Sequence, residues 1–423
     1  MTEIGAALPV GSRRRLAIYS QDSLGLGHLR RTTLIGAEFL GAARDSNVLL
    51  FADSPVAPFF ELPNGMDVVK LPSIRKVGAG CWEATRLRVD DRELIRFRAD
   101  LLRSGFLNFR PDAVLVDHMP GGAQRELIPA LEALKQAFPE CWVVLGIRDI
   151  LDAEDVIKRV WESEGAYEVL DRYYDRLLIY GSKEMFDTGC TYHLPAPRCG
   201  THYCGYVVKQ GPVRRAEEVR RAAQLRKRRY VFVSAGGGGD GQLLMRTYLR
   251  AVRLLGSRAG FTTLMAVGVN APPDVRRELE AEARGLPVRL VSHVDDSLSQ
   301  IAAADLVVCM AGYNTLSEVL FLKKKALVVP RSGPSAEQRM RAGLFAAKGL
   351  IDMLDPSDLS PEKLAKRLVA DLERNDYPAK GEAVPMDGAR QAADRLLETV
   401  ESLVEVAREV VDVVRRGVYA RSA

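Results

Sequence analysis

The strongest constraint on the fold is a regular alternation of short, apolar, β-rich runs with segments of helical length. Five such runs lie in the first half of the chain: LAIYS (16–20), NVLLFAD (47–53), AVLVD (113–117), CWVVLGI (141–147) and RLLIYG (176–181). Five more lie in the second half: YVFVSAG (230–236), TTLMAVG (262–268), VRLVSH (288–293), DLVVCM (305–310) and ALVVP (326–330). Strand and helix in strict alternation predict parallel sheets covered by helices on both faces.

The series of strands restarts near residue 208, which predicts two α/β domains in tandem. A chain of 423 residues is also too long for one ordinary core. We expect a first domain at 1–207, a second at 208–375 and a helical tail at 376–423. The predicted fold is two Rossmann-like, doubly wound domains. Their strands would end on either side of a cleft, which is where open α/β sheets bind ligands.

The tail predicts one long amphipathic helix, roughly from Gly388 to Arg416. Apolar residues repeat there with a heptad spacing: Leu396, Leu403 and Val410, then Val400, Ala407 and Val414, with Leu397, Val404 and Val411 beside them. A stripe of this width is more typical of a helix that packs on its own protein than of a dimer seam. We expect the first arrangement, and the sequence leaves the oligomeric state open.

The composition is that of a soluble globular protein. Hydrophobic residues make up 47% of the chain and charged residues 27%. There is no apolar run of about 18 residues, so we expect no membrane-spanning helix. The N-terminus does not resemble a signal peptide, and six cysteines in so long a chain favour a reducing compartment over a disulfide scaffold. We expect a cytoplasmic protein, which can also bind peripherally to the inner face of the membrane.

Basic and aromatic residues are interleaved between Ile74 and Arg110, a stretch that we interpret as helical. Its cations are Arg75, Lys76, Arg86, Arg88, Arg92, Arg96, Arg98, Arg103 and Arg110. Such a stretch can rest on an anionic membrane or hold an anionic acceptor. It can also be a solvated amphipathic helix, since acidic residues lie among the arginines, and we favour this second interpretation. No motif indicates binding to nucleic acid.

A glycine-rich turn follows the first strand. Gly25 and Gly27 lie where that strand leads into a helix, so backbone amides at the helix start can face an anion. A dinucleotide-binding fingerprint requires a small residue where Arg30 stands, which argues against NAD. The turn places His28 at the mouth of the cleft as a base for an alcohol, and Asp117 at the end of the strand AVLVD can orient its imidazole.

The second half carries a further glycine turn, VFVSAGGGGDGQ, on a strand-to-helix connection. Its backbone amides suit a diphosphate, and its candidate residues are Ser234, Gly236, Gly237, Gly238 and Gly239.

Polar groups that suit a sugar nucleotide follow the next strands. Gly312 opens a helix in which Glu318 lies one to two turns inside, where a carboxylate can accept bonds from the two cis hydroxyls of a ribose. Glu337 and Gln338 follow the next strand and have the multi-site hydrogen bonding that recognition of a sugar requires.

These motifs resemble the GT-B glycosyltransferases. The region His293–Leu350 is similar to the C-terminal domain of the peptidoglycan N-acetylglucosaminyltransferase, which is of the glycosyltransferase family 28 type. The segments GLGHLRR (25–31), RPDAVLVDHMPGG (110–122), IRDILD (147–152), YDRLLIYG (174–181) and AGYNTLSE (311–318) resemble a bacterial group of predicted glycosyltransferases of that type. The resemblance covers most of residues 15–375.

The resemblance implies a role for each matching residue. His28 would be the base or an acceptor-side residue, with Gly25, Gly27 and Arg30 beside it. The loop Gly236–Gly239 would hold the diphosphate, and the backbone at His293 and Val294 the base. Glu318 would bind the ribose, with Gly312, Tyr313 and Asn314 around it, and Glu337 with Gln338 the donor sugar. The peptidoglycan enzyme has paired glutamines at this last position, so N-acetylglucosamine is not implied as the donor sugar.

The predicted function is an inverting glycosyltransferase that moves a sugar from a nucleoside diphosphate, with UDP expected, to a hydroxyl. The acceptor can be a glycan, a lipid-linked molecule or a small molecule. No cofactor and no metal are expected, because no Asp-x-Asp pair stands at a strand end. Two alternatives stay open: a nucleotide-sugar 2-epimerase or hydrolase of the same fold, and a non-catalytic nucleotide-sugar-binding partner in polysaccharide assembly.

A cluster of cysteines and histidines near the domain junction has a spacing that can ligate zinc. Its members are Cys190, His193, Cys199, His202 and Cys204. Nothing in the resemblance calls for a metal there, so we do not expect one.

Overall fold

The computed structural model describes residues 14–21, 26–78, 81–224, 229–379 and 383–398. The strands of its first half are β1 (Arg15–Ser20), β2 (Asn47–Ala52), β3 (Met66–Lys70), β4 (Ile74–Gly78), β5 (Cys81–Ala84), β6 (Ala113–Asp117), β7 (Trp142–Arg148), β8 (Arg176–Tyr180) and β9 (Thr201–Tyr203). Seven of them form a parallel sheet in the order β3-β2-β1-β6-β7-β8-β9. The other two, β4 and β5, form an antiparallel hairpin.

Helices cover both faces of this sheet because its central strands are apolar on both sides. Ile18 of β1 packs in the same cluster as Leu29, and the adjacent Tyr19 packs on the opposite face in the same cluster as Leu102 and Leu131. The helices of the first half are α1 (Gly27–Ala42), α2 (Asp91–Phe109), α3 (Ile128–Ala137), α4 (Glu154–Glu164), α5 (Ala166–Tyr173) and α6 (Thr188–Thr191).

The second half repeats the plan with six parallel strands in the order β12-β11-β10-β13-β14-β15. These strands are β10 (Arg229–Ser234), β11 (Phe261–Ala266), β12 (Val288–Val291), β13 (Leu306–Cys309), β14 (Ala326–Val328) and β15 (Asp352–Met353). The helices are α7 (Ala216–Ala222), α8 (Gln242–Leu255), α9 (Pro273–Glu282), α10 (Ser297–Ala303), α11 (Tyr313–Phe321), α12 (Glu337–Ala347) and α13 (Pro361–Glu373). One cluster of buried side chains includes both Ile18 of the first sheet and Phe232 of the second.

The predicted fold class is confirmed: two Rossmann-like sheets are packed together, and each of the ten predicted strands is present. The interpretation of 74–110 as one helical stretch is wrong. Its first part is the β4–β5 hairpin, and α2 begins only at Asp91, where the side chain of Asp90 caps the first turn. The hairpin was missed because its strands are only five and four residues long and mix apolar with charged residues.

The arginines of that stretch are also not uniformly solvated. Arg98 of α2 is completely buried, and its guanidinium donates to both carboxylate oxygens of Glu126 at 2.6 Å. Tyr19 of β1 donates to the same carboxylate at 2.7 Å. This network fixes α2 to the sheet, because a buried guanidinium requires a carboxylate partner. The apolar residues Leu87 and Phe97 of the same stretch are about half exposed.

The predicted C-terminal helix is described over 388–398, which we call α14. Ala389, Ala392, Ala393 and Leu396 are buried in the cluster that joins the two halves, and Arg176 of β8 donates to the carbonyl of Arg395 at 2.7 Å. This part of the helix therefore packs on its own chain, against the first sheet. Leu403, Val410 and the rest of the predicted heptad stripe lie outside the described residues.

The cysteine and histidine cluster does not assemble into a metal site. Within the described ranges, no group of three or more His, Cys, Asp or Glu side chains is placed to hold a metal ion. Cys190 is exposed, whereas Cys204 is buried. Among the same residues, no helix combines the length and the apolar character needed to cross a membrane.

A substitution of Gly146 in β7 tests the packing at the carboxyl end of the first sheet. A Cβ there would lie 1.9 Å from the hydroxyl oxygen of Tyr180, so Gly146→Ala is expected to lower the free energy of unfolding by about 2 kcal/mol. The control is Gly343→Ala on α12, where nothing lies within 4 Å of the added carbon. That substitution should raise stability by about 0.5 to 1 kcal/mol through helix propensity. Urea denaturation measures the free energy of unfolding of both variants. Equal effects of the two substitutions would contradict the close packing of Tyr180 on Gly146.

Candidate active site

The carboxyl ends of the two sheets face one cleft of about 280 Å³. The first half contributes Leu26, Gly27, His28, Arg30, Arg31 and Arg148 to its lining. The second half contributes, among others, Ser234, Gly236, Gly237, His293, Val294, Ser297, Gly312, Tyr313, Asn314 and Glu318. The structure therefore brings together most of the residues that the two sequence motifs predicted, from opposite halves of the chain. Gly25 lies outside the described residues.

His28 is oriented by a buried carboxylate. It is the second residue of α1, and its Nδ1 lies 2.5 Å from Oδ2 of Asp117, the last residue of β6. Asp117 is completely buried, and Arg31 donates to its two oxygens at 2.9 and 2.8 Å. The sequence predicted the pairing of His28 with Asp117, but not the third member, Arg31.

This arrangement keeps Asp117 ionised. Burial alone would raise the pKa of Asp117, but the charges of Arg31 and His28 and the bonds that they donate hold that pKa far below its usual range. An ionised Asp117 accepts a bond from the Nδ1–H of His28. The lone pair of the neutral imidazole is then on Nε2, which is the form of a histidine that acts as a general base.

His118 is a second histidine at this place, and it was missed. Its ring centre lies 5.3 Å from that of His28, and its φ of 79° is in the left-handed region. Burial and then the charges of His28 and Arg148 hold its pKa well below the usual range, so it stays neutral. Strained backbone next to a candidate base is typical of functional sites. The position of His118 directly after Asp117 in the chain could have indicated that it lies beside His28.

The glycine turn of the second half is split between two roles. Ser234, Gly236 and Gly237 line the cleft, whereas Gly238 and Gly239 are not among the lining residues. A Cβ on Gly238 would lie 2.3 Å from the carbonyl oxygen of Val267, so this glycine permits the close approach of two loops. The prediction that all four glycines face a ligand is therefore not supported by their placement.

Glu318 lies inside α11 and lines the cleft with only 8% of its surface exposed. Ser297 donates to its Oε1 at 3.0 Å. Burial raises the pKa of Glu318, and Arg30 across the cleft opposes that effect. The start of α11 also faces the cleft, since Gly312, Tyr313 and Asn314 all line it. This geometry presents a carboxylate beside the positive end of a helix.

Glu337 and Gln338 were predicted to contact a sugar, and the structure shows both side chains bonded to other protein groups. Neither is among the residues that line the cleft. Glu337 is buried between two arginines: Arg341 of its own helix donates to it at 2.8 Å, and Arg148 of the first half also bonds to it. Gln338 accepts a bond from the backbone of Arg331 at 3.2 Å. Their contact with a donor sugar therefore stays a prediction, and the sequence analysis did not foresee that a partner of Glu337 comes from the first half.

The pairing of Glu337 continues into a buried network between the two halves. Arg341 is completely buried, and it also donates to Asp149 of the first half at 3.3 Å. Asp152 accepts a bond from the backbone of Ala336 at 2.7 Å. Against the penalty of burial, the charges of Arg148 and Arg341 hold the pKa of Glu337 at about 2.

The comparisons with known proteins agree with this geometry. Residues 231–396 match the glycosyltransferase family 28 C-terminal domain. The UDP-N-acetylglucosamine–N-acetylmuramyl-(pentapeptide) pyrophosphoryl-undecaprenol N-acetylglucosamine transferase of Alkaliphilus oremlandii is 24% identical over 62% of this chain and 69% of its own length. The transferase of the same name from Paenarthrobacter aurescens is 31% identical over 44% of this chain, and the match spans about half of its length, 51%.

Solved structures with the same fold cover nearly the whole chain. MurG of Acinetobacter baumannii aligns with a TM-score of 0.55 and 13% identity, over 92% of this chain and 99% of its own. A putative UDP-N-acetylglucosamine 2-epimerase from Listeria monocytogenes aligns with a TM-score of 0.62 and 14% identity, over 93% and 97%. At these identities the likeness establishes the fold.

Glu337→Gln tests the buried network. The substitution removes the carboxylate that Arg148 and the buried Arg341 share, and among the described residues only Arg341 keeps another carboxylate partner, Asp149. It is therefore expected to lower the free energy of unfolding by about 3 kcal/mol at pH 7. The pKa of Glu337 falls on folding from 4.5 to about 2. Its contribution is therefore fully present above the higher value and is lost as the pH falls towards the lower one.

Urea denaturation at pH 7 and at about pH 3 measures the effect, because the difference between wild type and variant should narrow at the lower pH. The control is Glu280→Gln on α9, whose side chain is about half exposed and whose partner Arg276 is on the same helix. It should change stability by less than about 0.5 kcal/mol. A loss that is equal at both pH values would contradict an ionised, paired Glu337.

Proposed function

We propose that this chain, a GT-B glycosyltransferase with a family 28 C-terminal domain that is related to the peptidoglycan N-acetylglucosaminyltransferase, transfers a sugar from UDP to an acceptor hydroxyl with inversion. The observation that carries the proposal is that His28 and Glu318 line the same cleft from opposite halves of the chain. One end of that cleft offers a base for a hydroxyl. The other end offers groups that suit a nucleoside diphosphate.

The donor is proposed to lie along the second half. The loop at Gly236 and Gly237 and the start of α11 offer backbone amides and a positive helix end to the diphosphate. The backbone at His293 and Val294 would contact the base. Glu318 would accept bonds from both ribose hydroxyls, which favours UDP over a 2′-deoxyribonucleotide such as dTDP.

The acceptor hydroxyl is proposed to be activated by His28. Its Nε2 takes the hydroxyl proton as the acceptor oxygen attacks the anomeric carbon, and the bond from that carbon to the diphosphate oxygen breaks. Asp117 stabilises the imidazolium that forms. One displacement from the face opposite the leaving diphosphate inverts the configuration of the sugar.

The charge on the departing diphosphate is balanced in this proposal by the chain itself. Arg30 lines the cleft opposite Glu318, and the amides of the glycine loop and of α11 face the same space. Preorganised dipoles and a cation of this kind stabilise a developing negative charge, so the proposed step does not require a metal ion.

The lining of the cleft favours transfer over epimerisation. A 2-epimerase or hydrolase would need further carboxylates near the anomeric centre, and Glu318 is the sole Asp or Glu among the described residues that line the cleft. Asp117 is engaged behind His28, and Glu337 is paired with two arginines. A non-catalytic binding partner would have no use for a histidine held as a base, so we rank that alternative lower.

The acceptor stays a prediction, as a glycan, a lipid-linked molecule or a small molecule. The surface beside α2 bears the exposed apolar side chains Leu87, Val89 and Phe97 among the arginines of the basic stretch. That combination suits a lipid-linked acceptor held at an anionic membrane. It supports the proposal of a peripheral membrane contact, which vesicle binding would test.

The donor site is tested by thermal unfolding with UDP, 2′-deoxy-UDP and dTDP on wild type and Glu318→Ala. A ligand at a hundred times its dissociation constant stabilises the folded state by about 2.7 kcal/mol. We expect UDP to stabilise the wild type more than 2′-deoxy-UDP does, and the advantage to vanish in Glu318→Ala, because the variant cannot bind the second hydroxyl.

The control for that experiment is Glu280→Ala, which removes a half-exposed carboxylate from the same domain and should respond as the wild type does. Equal stabilisation of the wild type by UDP and 2′-deoxy-UDP would refute the role of Glu318. No stabilisation of the wild type by any of the three nucleotides would contradict the proposed donor site.

A further inference from the structure

Tyr313 is the first residue of α11, in the second half, yet its hydroxyl is bonded to the backbone of the first half. It donates to the carbonyl oxygen of Tyr180 at 3.0 Å and accepts a bond from the amide of Val207 at 2.9 Å. The side chain is buried, with 4% of its surface exposed. The hydrogen of the hydroxyl and one of its lone pairs are therefore engaged with backbone groups of the first half.

The ring of Tyr313 faces two guanidinium groups. The guanidinium carbon of Arg31 lies 5.6 Å from the ring centre, and that of Arg341 lies 5.5 Å from it. Arg31 is also 5.2 Å from the ring centre of Tyr180. The Arg31 guanidinium thus contacts two aromatic rings, one from each half of the chain. Cation–π attraction of this kind is strongest where the cation is desolvated, and Arg31 is only 2% exposed.

The same guanidinium holds the candidate base. Its Nη2 donates to both oxygens of Asp117, at 2.9 and 2.8 Å, and lies 2.9 Å from Nδ1 of His28. A displacement of Arg31 would remove a positive charge from beside the imidazole. It would also leave Asp117 with less of its negative charge balanced.

We propose that Tyr313 is a positioning residue for the base: it holds Arg31 against Asp117 and His28, and it does so only while the two halves are together. This inference rests on the proposed role of His28. Separation of the halves would take the Tyr313 ring from Arg31 and break both bonds of the Tyr313 hydroxyl. The base would then be fully ordered only in the closed arrangement, which limits hydrolysis of the donor while the cleft is open.

The bonds that Arg341 makes support this role of Tyr313. Arg341 donates to Glu337 on its own helix and to Asp149 in the first half. Tyr206 of the first half donates to Asp149 at 2.8 Å, and its ring lies 5.8 Å from that of Tyr313. The Tyr313 ring therefore lies among charged and aromatic groups of both halves.

The test is the titration of the His28 ring signal by NMR in histidine-labelled protein, assigned by its loss in His28→Ala. Tyr313→Met removes the ring at similar volume, and Tyr313→Phe keeps the ring without the hydroxyl. Tyr248→Met is the matched control, because Tyr248 is an equally buried tyrosine of the second half whose hydroxyl bonds to Thr263. The charged and titratable groups around the imidazole are Arg30, Arg31, Asp117, His118 and Arg148.

Tyr313→Met is expected to move the midpoint of the His28 titration upward by about half a pH unit, because a loosened Arg31 no longer disfavours the protonated ring. Tyr313→Phe and Tyr248→Met should leave the midpoint in place. An unmoved midpoint in Tyr313→Met would overturn the proposal. A shift of the same size in Tyr313→Phe would overturn it too, because the hydroxyl rather than the ring would then be responsible.

The stabilisation of each variant by UDP is measured as well, so that a failure of the positioning role can be distinguished from a failure of the proposed function. A Tyr313→Met protein that loses UDP binding with an unmoved His28 midpoint would make Tyr313 a donor ligand and would end the positioning role. If Tyr313→Met does not fold, Tyr313→Leu replaces it, because leucine also removes the ring that faces Arg31. The same upward movement is expected there, and an unmoved midpoint would contradict the proposal.

Discussion

An ionised carboxylate with no exposure to solvent stands at the end of β6, and the arrangement around it depends on how that charge is balanced. Asp117 is paired with Arg31 and bonded to His28, both from the first two turns of α1. A buried charge without such partners would cost several kcal/mol. The start of α1 is therefore fixed against β6, and with it the direction of the imidazole and the first wall of the cleft.

The need of buried charges for partners also shapes the contact between the two halves of the chain. Arg31 and Arg341 are both buried, and the guanidinium group of each lies over the ring of Tyr313. Arg341 bonds to a carboxylate of each half, Glu337 and Asp149. The contact between the halves is thus built from paired charges around an aromatic ring, and it lies directly behind the cleft. A contact of this kind ties the donor side to the base more specifically than apolar packing would.

Much of the fold could be predicted from the sequence because its strands are short, apolar and regularly separated. The meeting of His28 and Asp117 was predictable for the same reason, since both follow strands that end at one edge of a parallel sheet. The roles of Glu337 and Tyr313 were not predictable, because their partners Arg148, Tyr180 and Val207 belong to the other half of the chain. The β4–β5 hairpin was missed because its strands are short and mix apolar with charged residues. The domain boundaries stay predictions.

The central claim is that His28, oriented by Asp117, removes the acceptor proton. The most direct test is the rate of UDP release from a panel of UDP-hexoses, with water or a hydroxyl acceptor, for wild type, His28→Ala and Asp117→Asn. We expect kcat to fall by about 10²- to 10⁴-fold in both variants while UDP still stabilises them, with the exposed His193→Ala unchanged. Release of UDP by His28→Ala within about twofold of the wild-type rate, with UDP binding intact, would contradict the account.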